Sequence, residues 1–306
     1  MRILVIVNPR ATTTTAHERD VLAHALGESA ELRVEQTQNR GHAAALACRA
    51  MRDGTDAVVA LGGDGTVNEV VNGLLTDGIH DRVPALGVIP GGATNVFARA
   101  LGLPNDPVEA TGILLEALRG DRRRAVSLGR ADDRWFIFAA GVGFDASIIA
   151  RVDKHRGRGR RSSELLYARA GVREFFAADR RHPRLHLSTA GAPTFDGLYY
   201  AVIANTDPWT YIGSRGLHPT PEASFDTDLD VFARTRMGLP GVVLTLAQMS
   251  RRAPRPSRMG SIVRHDLAEL IISCDQPTLL QVDGELVGPC ETVKFTSFRR
   301  AIQVIV

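Results

Sequence analysis

The stretch Leu61-Gly62-Gly63-Asp64-Gly65-Thr66-Val67-Asn68-Glu69 constrains this chain more than any other. Before it, Asp56–Leu61 is short, apolar and valine-rich, as a buried parallel strand is. After it, Val67, Val70, Val71, Leu74 and Leu75 recur at helical spacing. Three glycines and one aspartate therefore fall in a tight turn between a strand end and a helix start. Such a turn aims several amides at one point, where the helix dipole adds positive potential. Glycine lets a phosphate approach the backbone, because no Cβ intervenes. An aspartate there would repel a bare phosphate, so the turn suits a phosphate carrying a divalent cation. Thr66 and Glu69 also fit a Thr-x-x-Glu capping box, in which they would only satisfy helix amides.

The surrounding pattern alternates strands and helices. Ile3–Val7 reads as a first apolar strand ending at Asn8-Pro9, and a helix is expected after it to about Leu26. Glu31–Glu35 fits a second strand, and His42–Arg52 is alanine-rich and helical. Ala85–Ile89 runs into another glycine turn, Pro90-Gly91-Gly92-Ala93-Thr94-Asn95, followed by helices, the last from about Pro107 to Leu118. This order implies a parallel sheet covered on both faces, with ligands at the carboxyl ends of its strands. From Ala125 onward the apolar runs are mostly short and strand-like, with helices expected only near Glu164–Ala178 and Leu239–Met249. The expected architecture is a three-layer α/β nucleotide-binding domain over residues 1–125. A mostly antiparallel β-sandwich domain is expected over 126–306.

Bulk properties exclude some classes. The 306 residues, 44% hydrophobic and 23% charged, describe an ordinary globular protein. Net charge is +3, and arginine supplies the positive charge except at Lys154 and Lys294. No run of eighteen apolar residues occurs, so no helix is expected to span a membrane. Ile3–Val7 is too short for a signal-peptide core. Cys48, Cys274 and Cys290 show neither zinc spacing nor a disulfide framework, which favours a reducing cytosol. Lys154–Arg161 holds a basic run that reads as a solvated loop or as a patch for anionic lipid headgroups. Nucleic acid fits it less well, because no aromatics interleave the arginines.

Gly62–Glu69 resembles the signature of the diacylglycerol kinase catalytic-domain family, which includes bacterial soluble lipid kinases and sphingosine and ceramide kinases. Four further blocks keep the family order: Asn8-Pro9, Pro90–Arg99, Gly141–Ala146 and Asp283-Gly284-Glu285. The resemblance implies an α/β nucleotide domain and a β-sandwich with the active site in the cleft between them. It implies ATP as phosphate donor, Mg²⁺, and a lipid hydroxyl as acceptor at the membrane surface, with a homodimer left open. It places Asn8, Pro9, Arg10, Ala11, Thr12, Thr37 and Gly62–Glu69, including Gly65, Thr66, Val67 and Asn68, at the ATP site. Gly92, Ala93, Thr94 and Asn95 form the second nucleotide loop. Asp64 would sit beside Mg²⁺, Asp145 would organise the metal and its waters, and Glu285 or Asp283 would be the general base. Asp226, with the carbonyls of Ala223 and Asp228, would hold a structural Mg²⁺. Two positions depart from the family pattern: Ala93 stands where threonine is usual, and Thr227 where glycine is usual.

Each late motif also has a plain reading. Asp145 fits a helix N-cap, Asp283-Gly284 a hairpin turn, and Asp226 with Asp228 a solvated turn. The implied function is a peripheral, cytoplasmic lipid kinase feeding phospholipid biosynthesis. An NAD kinase-like enzyme and a non-catalytic nucleotide-binding lipid sensor are the alternatives.

Overall fold

A computed structural model describes residues 1–9, 31–156, 164–177, 182–251 and 260–306. The helix expected before Leu26, the candidate ligands Arg10, Ala11 and Thr12, and Gly157–Arg161 of the basic run lie outside the described residues. The chain forms two compact units. Met1–Leu128 together with Arg299–Val306 make the first, and Gly129–Phe298 the second.

The first unit contains β1 (Arg2–Val7), β2 (Glu31–Gln36), α1 (His42–Arg52), β3 (Ala57–Gly62), α2 (Asp64–Leu74), β4 (Ala85–Pro90), α3 (Val96–Ala100) and α4 (Pro107–Arg119). β5 (Arg123–Ala131) leads out of it. Strands β2, β1, β3 and β4 lie side by side and parallel. Residues of β3 and β4 are buried throughout, as expected of parallel strands covered on both faces. One face, with Val5, Val59, Leu61 and Ile89, packs on Leu114 and Ala117 of α4. The opposite parity, Leu4, Ile6, Val58, Ala60 and Val88, is equally buried, and α1 and α2 pack on each other and on β1 and β3. Helix α4 starts at Asp106, whose carboxylate accepts the amides of Val108 and Glu109 ahead of Pro107. The order places β1 between β2 and β3, so the strand order reverses there, and the crevice beyond those carboxyl ends is where such sheets bind ligands.

The second unit holds β6 (Arg134–Phe136), β7 (Ala139–Gly143), α5 (Phe144–Arg156), α6 (Glu164–Ala177), β8 (Leu185–Thr189), β9 (Phe195–Leu198), β10 (Tyr200–Ala204), β11 (Thr210–Ile212), β12 (Arg215–Leu217), β13 (Leu229–Arg234), α7 (Leu239–Met249), β14 (Ser261–Leu267), β15 (Glu269–Val282) and the start of β16 (Glu285–Ile305). Its strand pairs are antiparallel. The expected sandwich of separate sheets takes a different form, because β15 serves two neighbours. Leu270–Cys274 pair with β8, and Leu280–Val282 pair with β7. A register shift between Ser273 and Thr278 separates the two halves, and such irregularities bend a strand. Side chains from β7, β8, β10, β13, β15 and β16 close over one apolar core around Phe136 and Phe295.

From sequence pattern, residues 126–306 belong wholly to the second domain. The structure returns Arg299–Val306 to the first unit, where Val304 of β16 pairs in parallel with Leu86 of β4. Arg300, with φ 54°, lies at this passage. Among the described residues no helix is long and apolar enough to cross a membrane.

Helices α1 and α2 cross closely at Gly73, where a Cβ would run into the Ala44 carbonyl. Alanine is the better helix former by about 1 kcal/mol, yet Gly73→Ala is expected to lower stability by about 1–3 kcal/mol through overpacking. A urea midpoint shifted downward checks this, and an upward shift would contradict the close crossing.

Candidate functional site

The carboxyl ends of β1, β3 and β4 bring the first-unit candidates together. Gly91 donates its amide to the Gly62 carbonyl at 2.9 Å, so the two glycine loops touch. The contact requires glycine on both sides. A Cβ on Gly92 would lie 2.6 Å from Gly63 Cα, and one on Gly63 would lie 3.2 Å from Gly92 Cα. Asn8 continues β1 by donating its amide to Leu61, and its side chain donates to Thr66 Oγ1 at 3.0 Å. Thr37, at the end of β2, donates its amide to the Val7 carbonyl at 2.8 Å. Asn95 adopts a left-handed conformation with φ 48°. From there its side chain accepts the Gly92 amide and donates to the Gly92 carbonyl and to Asn105. Among the described residues, the amides of Gly65, Ala93 and Thr94 have no acceptor. They stand at the tips of the two loops and in the first turn of α2, as an anion-binding site needs.

Both acidic residues of the first loop point at neighbouring helices. Asp64 accepts the amide of Val96 on Oδ2 at 2.9 Å and that of Phe97 on Oδ1 at 3.0 Å, so it caps α3 and ties the second loop to the first. Burial pushes its carboxyl above the usual range, against the pull of these amides and of Arg99. Glu69 accepts the amides of Gly41 at 2.8 Å and Ala43 at 3.2 Å. It thus caps α1 instead of its own helix. The capping box does not form: α2 starts at Gly63 with no side-chain cap.

The second unit builds a distinct group around the β15–β16 hairpin. Val282 pairs with Glu285 across the two-residue turn Asp283-Gly284, whose φ angles are 49° and 75°, the conformation of a primed turn. Asp283 is also a buried acceptor. Its carboxylate takes the amides of Ile137, Phe138 and Ala139 at 2.8, 3.0 and 3.1 Å. Asn205 holds the same segment through the carbonyls of Ile137 and Phe138. Glu285 is partly exposed and pairs with Arg134 at 2.8 Å. Gln281 donates to Asp145 Oδ2 at 2.7 Å and accepts the Gly284 amide at 2.8 Å, so Asp145 is linked to the hairpin. Asp145 lies inside the first turn of α5 and is bonded to a side chain, so it does not serve as the helix cap. Burial raises its pKa to about 6, partly offset by Gln281.

Residues 2–131 match the family model of the diacylglycerol kinase catalytic domain. Over 279 residues the chain is 29% identical to a YegS-like lipid kinase of Stenotrophomonas maltophilia, covering 88% of this chain and 85% of that protein. A solved diacylglycerol kinase from Bacillus anthracis strain Sterne superposes with a TM-score of 0.74 at 18% identity, over 99% of this chain and 96% of that one. The match places residues 2–131 in the diacylglycerol kinase catalytic-domain family. Other relatives match over less of their length. A YegS-like lipid kinase of Chromohalobacter salexigens is 44% identical over 117 residues, 38% of this chain and 36% of that protein. The diacylglycerol kinase of Staphylococcus aureus strain JH9 is 41% identical over 107 residues, 35% of this chain and 32% of that protein. With these two, the chain spans about a third of the relatives' length.

Asn8, Thr37, Gly62–Glu69 and Gly92–Asn95 gather in the first unit, and Asp145, Asp283 and Glu285 in the second. Ala223, Asp226 and Asp228 form a separate turn closed by its own hydroxyls. Thr227 donates to the Ser224 carbonyl at 3.1 Å, and Asp228 donates its amide to Asp266 at 2.8 Å. Among the described residues no group of three or more His, Cys, Asp or Glu side chains is set to hold a metal. Sequence reasoning missed Gln281, Arg134 and Asn105, since no local pattern marks a residue whose partner is remote.

Asp283→Ala strips the acceptor from three buried amides. It is expected to cost about 3 kcal/mol or more, measured as a fall in the denaturation midpoint. Asp145 gives a pH signature. Its folded pKa of about 6 exceeds the ordinary value of 3.8. Stability tied to its protonated form is therefore full below about pH 4 and lost as pH rises through about 6, by up to about 3 kcal/mol. Asp145→Asn should flatten this slope in urea titrations at about pH 4, 5, 6 and 8; an unchanged slope would assign it elsewhere.

Proposed function

We propose that the chain is a lipid kinase that moves the γ-phosphate of ATP to a lipid hydroxyl of a diacylglycerol-like or sphingoid acceptor. The observation that carries this reading is the pair of touching glycine loops, with amides at Gly65, Ala93 and Thr94 that have no acceptor among the described residues, at the N-terminal end of α2. That arrangement suits a polyphosphate. Asn8, Pro9, Arg10, Ala11, Thr12 and Thr37 would hold the rest of the nucleotide. Mg²⁺ bound with the nucleotide supplies charge neutralisation, and such ions keep waters and phosphates as most of their ligands. Asp64 is the carboxylate beside that site, and its hydrogen bonds fix one loop on the other.

Phosphoryl transfer asks mainly for alignment, plus removal of the acceptor proton. In the second unit Glu285 is the fitting base, because it is the hairpin carboxylate that reaches the surface. Asp283, engaged by three amides, supports the turn instead. Arg134 holds Glu285 in position, and the Asp145–Gln281 chain fixes the Gly284 amide next to it. In the same reading the Asp226 carboxylate, with the carbonyls of Ala223 and Asp228, would hold a structural cation, a set with a single side-chain ligand. Such an enzyme works at a membrane surface, and its phosphorylated product would enter phospholipid synthesis.

Transfer of labelled γ-phosphate to diacylglycerol, monoacylglycerol, a sphingoid base and NAD tests the reading. Labelling of NAD alone would replace it with a nucleotide kinase, and nucleotide binding without any transfer would replace it with a sensor. Glu285→Gln is expected to lower kcat by about 10²- to 10⁴-fold, with ATP affinity held. Unchanged turnover would remove Glu285 from the reaction.

A further inference from the structure

Helix α7 (Leu239–Met249) carries no charged residue, and its two sides differ sharply. The inner side is accounted for. Thr245 and Met249 are buried, Met249 packs with Leu217 and Phe232, and the Arg234 guanidinium donates to Thr245 Oγ1 at 2.6 Å. The outer side is apolar and open to solvent. Leu239, Val243, Leu244 and Leu246 are 49%, 57%, 39% and 45% exposed. They are four of the eleven large apolar side chains that are exposed among the described residues. Scattered exposed leucines need no explanation, but four on one short helix do.

The flanking charge is one-sided. No Asp or Glu occurs between Asp230 and Asp266, while seven arginines do. Of these, Arg236 and Arg251, just before and just after the helix, are exposed in the structure. A helix of 11 residues is about 16 Å long, too short to span a bilayer. Its composition, with apolar residues on the outer side and arginine at the flanks, suits a helix lying in the headgroup plane. A second copy of the chain fits less well. A twofold contact centred on the helix would bring its flanking arginines toward their own counterparts.

We propose that helix α7 is the surface by which this protein seats on an anionic membrane, its outer face entering the interfacial layer and its flanking arginines on lipid phosphates. The inference deepens the lipid-kinase reading and rests on it for the choice of a membrane as occupant.

The test is sedimentation of the full chain, without nucleotide, with vesicles of phosphatidylcholine alone or mixed with phosphatidylglycerol. Binding is expected to the mixed vesicles, to weaken in high salt, and to fall by about tenfold or more in Val243→Asp/Leu246→Asp. Turnover on a dispersed short-chain diacylglycerol should stay unchanged in that variant, which also reports that it folds. Leu246→Trp keeps the face apolar, and the indole it introduces should show blue-shifted emission with mixed vesicles only. Equal binding by the double variant, or no emission shift in Leu246→Trp, overturns the proposal. So does a parent chain that ignores vesicles but self-associates through these residues. Vesicle binding lost in the double variant, with no lipid phosphorylation by the parent, supports the surface and overturns the kinase instead. Phosphorylation of dispersed lipid without vesicle binding does the reverse.

Discussion

One carboxylate accepting two main-chain amides holds the first-unit site together. Asp64 leaves the end of β3 and takes the amides of Val96 and Phe97. The second glycine loop is thereby pinned against the first, at a contact where neither Gly63 nor Gly92 has room for a side chain. Glycine loops are entropically costly to order, and short ones wander unless something fixes both ends. Here Asp64 fixes one end of the second loop and Asn95, folded back on Gly92, fixes its interior. The unpaired amides at the loop tips are therefore held in place before any ligand arrives, which is the condition under which backbone donors stabilise charge well.

The second unit uses the same device in another setting. Asp283 gathers three amides from the segment before β7, and Gln281 bridges Asp145 to the turn. These buried acceptors are satisfied, and each would be costly alone. The result is a rigid hairpin from which Glu285 projects toward solvent, restrained by Arg134. Asp64, Glu69 and Asp283 all serve the backbone. Glu285 is the hairpin carboxylate that pairs with a basic side chain.

Sequence pattern was legible where the chemistry is local. The β3 strand, its glycine turn and α2 follow from an apolar run, three glycines and helical spacing, and the Asp283-Gly284 turn from its residue types. Partners distant in sequence were not legible. Glu69 matched a capping box on its own helix, yet it serves Gly41, 28 positions earlier. Gln281 and Asp145 are 136 positions apart, and Arg134 and Glu285 are 151 apart. Strand ends also misled. The short apolar runs Leu267–Ser273 and Thr278–Val282, which read as two strands, merge into β15 because a register shift at Ser273–Thr278 interrupts the alternation without ending the strand. The four threonines after Ala11 belong to a segment that the structure does not describe.

The return of β16 to the first unit has a consequence for biosynthesis. The α/β unit emerges from the ribosome first, but its sheet lacks the neighbour of β4 until Val304 has been made. Until then β4, apolar along its whole length, presents open hydrogen-bonding groups, the kind of edge that recruits foreign strands. The unit that begins first is therefore finished last. Completion of the first unit waits for translation of all of the second, Gly129–Phe298, which makes its maturation a late event.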